Sequence, residues 1–194
     1  MFDSHDVETN LDIAEAMVAE FEDYLVDDDL YRQLVIRTTA GDRMLKMSAG
    51  SLLEVLHDLH HAADTGRLTP EQKNRVRELT DTVEQLTRRY TSVYRQKLVR
   101  EFKSQIDSWR WFLQDCQDDR SRCRDEYPFE VRIRNRLALL MDELDDDAPA
   151  DQVSRLRKLD ADLREILVPG KFILDPELQE RYPKSHYWWL YGRP

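Results

Sequence analysis

No glycine or proline stands between Pro70 and Pro128, and the whole chain of 194 residues holds only five glycines and seven prolines. So few breakers exclude a strand-and-turn architecture over most of the length and favour long helices. No apolar run approaches the roughly 20 residues that span a bilayer, the aliphatic run Leu137 to Met141 falling far short. The opening MFDSHDVETN lacks the basic and apolar regions of a secretory leader, so a cytoplasmic protein without membrane contact is expected. Cysteine is also scarce. Cys116 and Cys123 are too few for a disulfide scaffold. On one helix they would stand about 10.5 Å apart along the axis, too far to bridge within the chain. A reduced pair filling a core stripe is expected, with an intermolecular disulfide as the alternative.

Lysine and arginine are absent before Arg32, where eleven carboxylates from Asp3 to Asp29 accumulate. The net charge of −10 disfavours nucleic acid and anionic membranes as partners. The bases gather later, with Arg88, Arg89, Arg95, Lys97, Arg100 and Lys103 close together. The simplest reconciliation lays the acidic first helix against this basic middle. Two outward faces of opposite sign that recruit partners are the alternative.

What is present is mostly helical periodicity. Leu11, Ala14, Val18, Phe21 and Leu25 mark one face of a helix over 10–26, with Thr9 and Asp12 at capping-box offset. Asp27-Asp28-Asp29 oppose a helix C-terminus and stop it. YRQLVIRT, the turn signal Ala40-Gly41-Asp42 and RMLKM predict a β-hairpin over 31–47, which must pack on a helix or pair with another edge. Ser48 and Gly66 bound a helix over 49–64, and Thr69-Pro70-Glu71-Gln72 starts the next with a strong capping signal.

From there the apolar steps Val76, Leu79, Val83, Leu86, Tyr90 and Val93 continue through Leu98, Phe102, Ile106, Trp109, Leu113, Cys116 and Cys123. The phase slips between Tyr94 and Phe102, as in a stutter. With no breaker in sight, one long helix over 70–126 is preferred to two that bend near Tyr94. Pro128 then opens a helix over 129–146, and Ala148-Pro149 turns into another over 150–167. An aromatic tail occupies 176–194. The expected fold is mainly α: one helical domain over 1–194, an antiparallel bundle built around one long helix, with a small β-hairpin.

Candidate chemistry is sparse. The sequence contains no G-x-G-x-x-G, phosphate loop, G-x-S-x-G elbow or His-Glu-x-x-His. The acidic runs at Asp27 and Asp145 lack the glycine and glutamate of a calcium loop. His5-Asp6 and His57-Asp58 share a dipeptide with metal-dependent phosphohydrolases but lack the upstream histidine. Glu54, His57, His61 and Asp64 step by three, four and three along one helical stripe, a spacing that could offer oxygen and nitrogen ligands to a divalent metal. Leu52, Val55, Leu56 and Leu59 define the opposite, core-facing side, so these ligands would point outward; His60 sits at the boundary. The densest aromatic cluster is Tyr182, Tyr187, Trp188, Trp189 and Tyr191. It reads either as a tail strapped across its own helices or as an anchor, with Tyr187, Trp188, Trp189 and Tyr191 inserted into a partner. The resulting expectation is a non-enzymatic interaction or assembly protein that associates with itself or a protein partner, with no cofactor. The alternative is a metal-dependent helical enzyme using Glu54, His57, His61 and Asp64.

Overall fold

The structure is a computed structural model and describes residues 6–38 and 41–194. His5 and Ala40, singled out above, lie outside them. The chain is mainly α-helical with a small antiparallel hairpin, and it divides into two compact units, Met1–Glu101 and Phe102–Pro194.

In the first unit, helices α1 (Val7–Ala19) and α2 (Phe21–Val26) replace the single helix expected over 10–26. The start is earlier because Asp6, not the Thr9–Asp12 pair, caps it: its carboxylate accepts from the backbone N–H groups of Glu8 at 3.3 Å and Thr9 at 3.1 Å. The division falls at Glu20, and the end at Val26 is where the three aspartates stop it. Strands β1 (Arg32–Thr38) and β2 (Gly41–Met47) pair antiparallel, with Leu34 opposite Leu45 and Arg32 opposite Met47. Alternation turns Leu34, Ile36, Leu45 and Met47 inward, where β1 packs on α1 and β2 on α3 (Ala49–Asp64). Helix α3 is capped by Ser48, and the chain leaves it through Gly66, at φ +72°. Helix α4 (Pro70–Arg89) begins with the expected Thr69–Gln72 capping box.

Helix α5 (Thr91–Asp118) follows after a one-residue interruption at Tyr90. The i to i−4 bonds continue through it, Tyr90 N–H to Leu86 and Tyr94 N–H to Tyr90, both 2.9 Å. The boundary between the units falls within α5, after Glu101. Leu11, Met17, Phe21, Leu52 and Leu59 are fully or nearly fully buried, and the Phe21 ring meets both Tyr24 and Tyr94 at 6.1 Å.

The acidic first helices lie against basic residues that follow them in the same unit. Arg75 binds Glu8 and Glu15, and Glu22 accepts from both Arg89 at 3.0 Å and Tyr90 at 2.6 Å. The hydrogen bond from Arg75, and next that from Gln72, holds the Glu8 carboxyl below its ordinary value of 4.5. Folding therefore weakens proton binding there. The contribution is complete above the unfolded value and is lost as the pH falls through the folded one. Solvent screening keeps it modest, because both side chains are partly exposed. Arg75→Met is expected to flatten the acid limb of a stability–pH curve below about pH 4.5. An unchanged limb would remove this pair from the account.

In the second unit the expected helix over 70–126 is corrected. Helix α5 ends at Asp118 and α6 (Arg120–Leu144) begins two residues later, because Asp119 takes an extended conformation (φ −142°, ψ 94°) and caps the Arg122 N–H at 3.0 Å. Pro128 lies inside α6 rather than opening a helix. The turn back also overturns the expectation of unbridged thiols. Cys116 and Cys123 stand on two helices, their Cα atoms 4.8 Å apart, and form a disulfide. Trp109 and Phe112 of α5 meet Tyr127 of α6 at 6.3 and 6.2 Å, continuing the antiparallel pairing. Reducing the bridge, or Cys116→Ser with Cys123→Ser, should lower unfolding stability by about 2 kcal/mol, the scale for so short a loop. Chemical denaturation with and without reductant measures it, and coincident curves would refute it.

Helix α6 stops before Asp145–Asp147, which form a single 3₁₀ turn, and α7 (Ala150–Ile166) follows much as expected. The remaining chain returns over the helices. Strand β3 (Val168–Pro169) pairs antiparallel with β4 (Gly192–Arg193), and two 3₁₀ turns, Pro176–Arg181 and Trp188–Leu190, lie between them. A Cβ at Gly192 would overlap the Val168 carbonyl, so this pairing needs glycine.

Candidate functional site

Glu54, His57 and His61 are half-buried and Asp64 is exposed, all on α3. Among the described residues, no group of three or more His, Cys, Asp or Glu side chains is placed to hold a metal ion. Helix geometry explains this: Glu54 and Asp64 are separated by about 15 Å along one axis, and an ion reaches only adjacent members of such a row. Glu54, His57 and His61 also have interactions of their own. His60 is hydrogen-bonded at 2.8 Å to the Thr80 hydroxyl of α4, in keeping with a boundary residue.

A denser polar cluster, not anticipated from the sequence, sits at the start of α3. Glu101 of α5 is fully buried, and its carboxylate accepts from the Ser48 hydroxyl at 2.6 Å and the Gly50 N–H at 2.8 Å. An anion at this end of α3 meets unpaired N–H groups and the positive end of the helix dipole. Beside it, the Tyr24 hydroxyl accepts from the Ala49 N–H at 3.2 Å. Burial, and then the nearby Glu101 charge, push the Tyr24 phenol far above its usual range. Lys97 is 2% exposed; its ammonium donates to the carbonyls of Asp27 at 2.6 Å and Asp29 at 2.5 Å and lies 4.3 Å from the Tyr24 ring centre. Desolvation lowers its pKa. The carbonyls fix this cation beneath the acidic turn after α2, and the cluster as a whole organises the unit. A sequence signal did exist: Lys97 and Glu101 recur four residues apart beside the apolar row of Tyr94, Leu98 and Phe102.

Of the four aromatic residues named as a partner anchor, Trp189 lies against α6 and Trp188 meets Arg164 of α7, while Tyr187 and Tyr191 pack on other residues of the C-terminal segment. Tyr187 and Trp189 are buried, while Trp188 and Tyr191 are half-buried. Trp189 donates through Nε1 to Asn135 at 2.7 Å, and its carbonyl accepts from the buried Tyr127 hydroxyl at 2.8 Å. Burial drives the Tyr127 phenol well above its usual range. The Arg134 guanidinium, 3.8 Å from the Trp189 ring centre, is held by Asp160 through two bonds of 2.7 and 2.9 Å. Arg164 covers Trp188 at 3.9 Å, and Tyr191 donates to the Tyr182 carbonyl at 2.7 Å.

Other apolar side chains are left in water. In the first unit Val35 and Met44 face each other across the hairpin's outer side, and in the second unit Trp111 is 59% and Phe129 56% exposed. Sequence periodicity did not single these out. Among the described residues, no helix is long and apolar enough to cross a membrane. No protein-family model matches the chain, and no curated protein or solved structure is significantly similar to it.

Proposed function

We propose that the protein is a non-enzymatic interaction or assembly protein that associates with itself or with a protein partner. The observation that carries this reading is the pair Trp111 and Phe129, large rings more than half exposed on helices of the second unit. Aromatic rings of this size contribute strongly when buried at an interface and nothing in water. The exposed Val35–Met44 pair of the hairpin offers a second apolar surface of the same kind. By contrast, the most deeply buried charged groups, Glu101, Lys97 and Arg134, are engaged in holding helices and turns together. Tyr187 and Trp189 are used internally, so partner contact is assigned to Trp111 and Phe129 in their place.

Multi-angle light scattering tests the proposal. A mass above one chain is expected at micromolar concentration, returning to one chain in Trp111→Ser with Phe129→Ser. A monomeric wild type that also retains no protein from its native host would sink it. The Cys116–Cys123 bridge belongs to oxidising conditions, whereas a reduced cysteine pair is what a cytoplasmic protein would hold. We propose a cytoplasmic location in which this bridge is kept open by the reducing environment; thiol alkylation in intact native cells should then label both cysteines, and protection of both would move the protein to an oxidising compartment.

A further inference from the structure

A cleft of about 380 Å³ lies between α5 and α7, lined entirely by side chains of the second unit. The Asp107–Arg155 ion pair of 2.6 Å sets the register of the two helices. Three residues further along each, Arg110 and Lys158 bring two cations to one end of the cleft. The Arg110 Nε is buried without a hydrogen-bond partner, and its guanidinium stacks 4.7 Å from the Trp111 ring centre. Asp162 and Glu165 supply two carboxylates towards the other end. Lys158 and Asp162 have the i,i+4 relation, yet neither they nor Glu165 form an ion pair among the described residues. The charges are thus sorted along the cleft instead of cancelling within it.

Between the charged ends the lining changes. Leu113 and Leu159 supply an apolar floor that Ile166 continues past Glu165, while Gln114 and Gln117 offer amides that can both donate and accept. From Lys158 to Glu165 the rise is about 10 Å, which matches an extended peptide of about three residues at roughly 3.3 Å each. The volume lies within the range of small-ligand sites, about 300–1,000 Å³.

We propose that this cleft binds a short, free, apolar peptide of about three residues. Its terminal carboxylate meets Arg110 and Lys158, its terminal ammonium meets Asp162 and Glu165, and Gln114 and Gln117 take its backbone groups. Arginine suits the carboxylate because its planar fork donates to both oxygens at once. Arg110 stacks on Trp111, so the cleft adjoins the surface assigned to self-association, but peptide binding does not require that association.

The test uses the whole protein and the tripeptide Ala-Leu-Ala, with its N-acetylated and C-amidated forms, in titration calorimetry. The free peptide should bind saturably, and each capped form at least about tenfold more weakly, equivalent to about 1.4 kcal/mol. In Arg110→Gln with Lys158→Gln, amidation should cease to matter while acetylation still does. In Asp162→Asn with Glu165→Gln, the pattern should reverse. Far-ultraviolet circular dichroism verifies that the variants fold, and should either fail, the capping comparison on the wild type decides alone. No saturable binding at millimolar peptide, or capping without effect, overturns the proposal, and neither result bears on the light-scattering test.

Discussion

Glu101→Ala should lower unfolding stability by about 3–4 kcal/mol, because two buried donors lose their acceptor at roughly 1–3 kcal/mol each. The donors are the Ser48 hydroxyl and the Gly50 N–H, both within the first turn of α3 or its cap. Water cannot replace the carboxylate without entering a region where Ser48, Ser51 and Ala49 are almost fully buried. Glu101→Gln separates charge from shape. It retains a carbonyl acceptor and most of the volume, so a smaller loss of about 1–2 kcal/mol is expected. Urea denaturation of the two variants beside wild type provides the measurement. Equal losses would mean that the negative charge alone matters, and a loss under about 1 kcal/mol for alanine would show that α3 does not depend on this anion.

Trp189→Ala is the second large effect. Removing a buried tryptophan costs about 3–5 kcal/mol. This one also leaves Asn135 without its indole donor and Arg134 without the ring beneath it. The neighbouring Trp188 is half-buried, with Arg164 over its face, so Trp188→Ala should cost about 1 kcal/mol or less. The contrast separates the two roles considered for the tail. A strap loses stability through Trp189 and little through Trp188. A partner anchor would leave monomer stability intact in both variants, and equal, small losses would rule out the strap.

Most of the architecture was legible because its signals are local. The cap at Ser48, the capping box at Thr69, the turn through Gly66 and the alternating hairpin strands depend on residues a few positions apart. The α5–α6 turn was not legible, because aspartate is a weak breaker and Asp119 acts as an N-cap within an otherwise unbroken apolar rhythm. Missing that turn made the cysteine spacing look like a separation along one axis. Pro128 misled in the opposite direction: its preference for a first helical turn suggested a start, whereas α6 had already begun at Arg120. The Glu101 cluster depends on residues more than 50 positions apart, and no sequence rule pairs Ser48 with Glu101. The periodicity of α3 correctly separated its apolar side from the histidine stripe, so the absence of convergence there is a consequence of the same pattern.

The tail's position has a consequence for biosynthesis. Tyr127 and Asn135 bond to Trp189, 62 and 54 residues further on, while α5 and α6 meet through neighbours across a one-residue joint. A ribosome therefore releases the helices well before the ring that seals them. During that interval the face of α6 around Arg134 is bare, and a nascent chain arrested before Trp189 would be a natural client for chaperones.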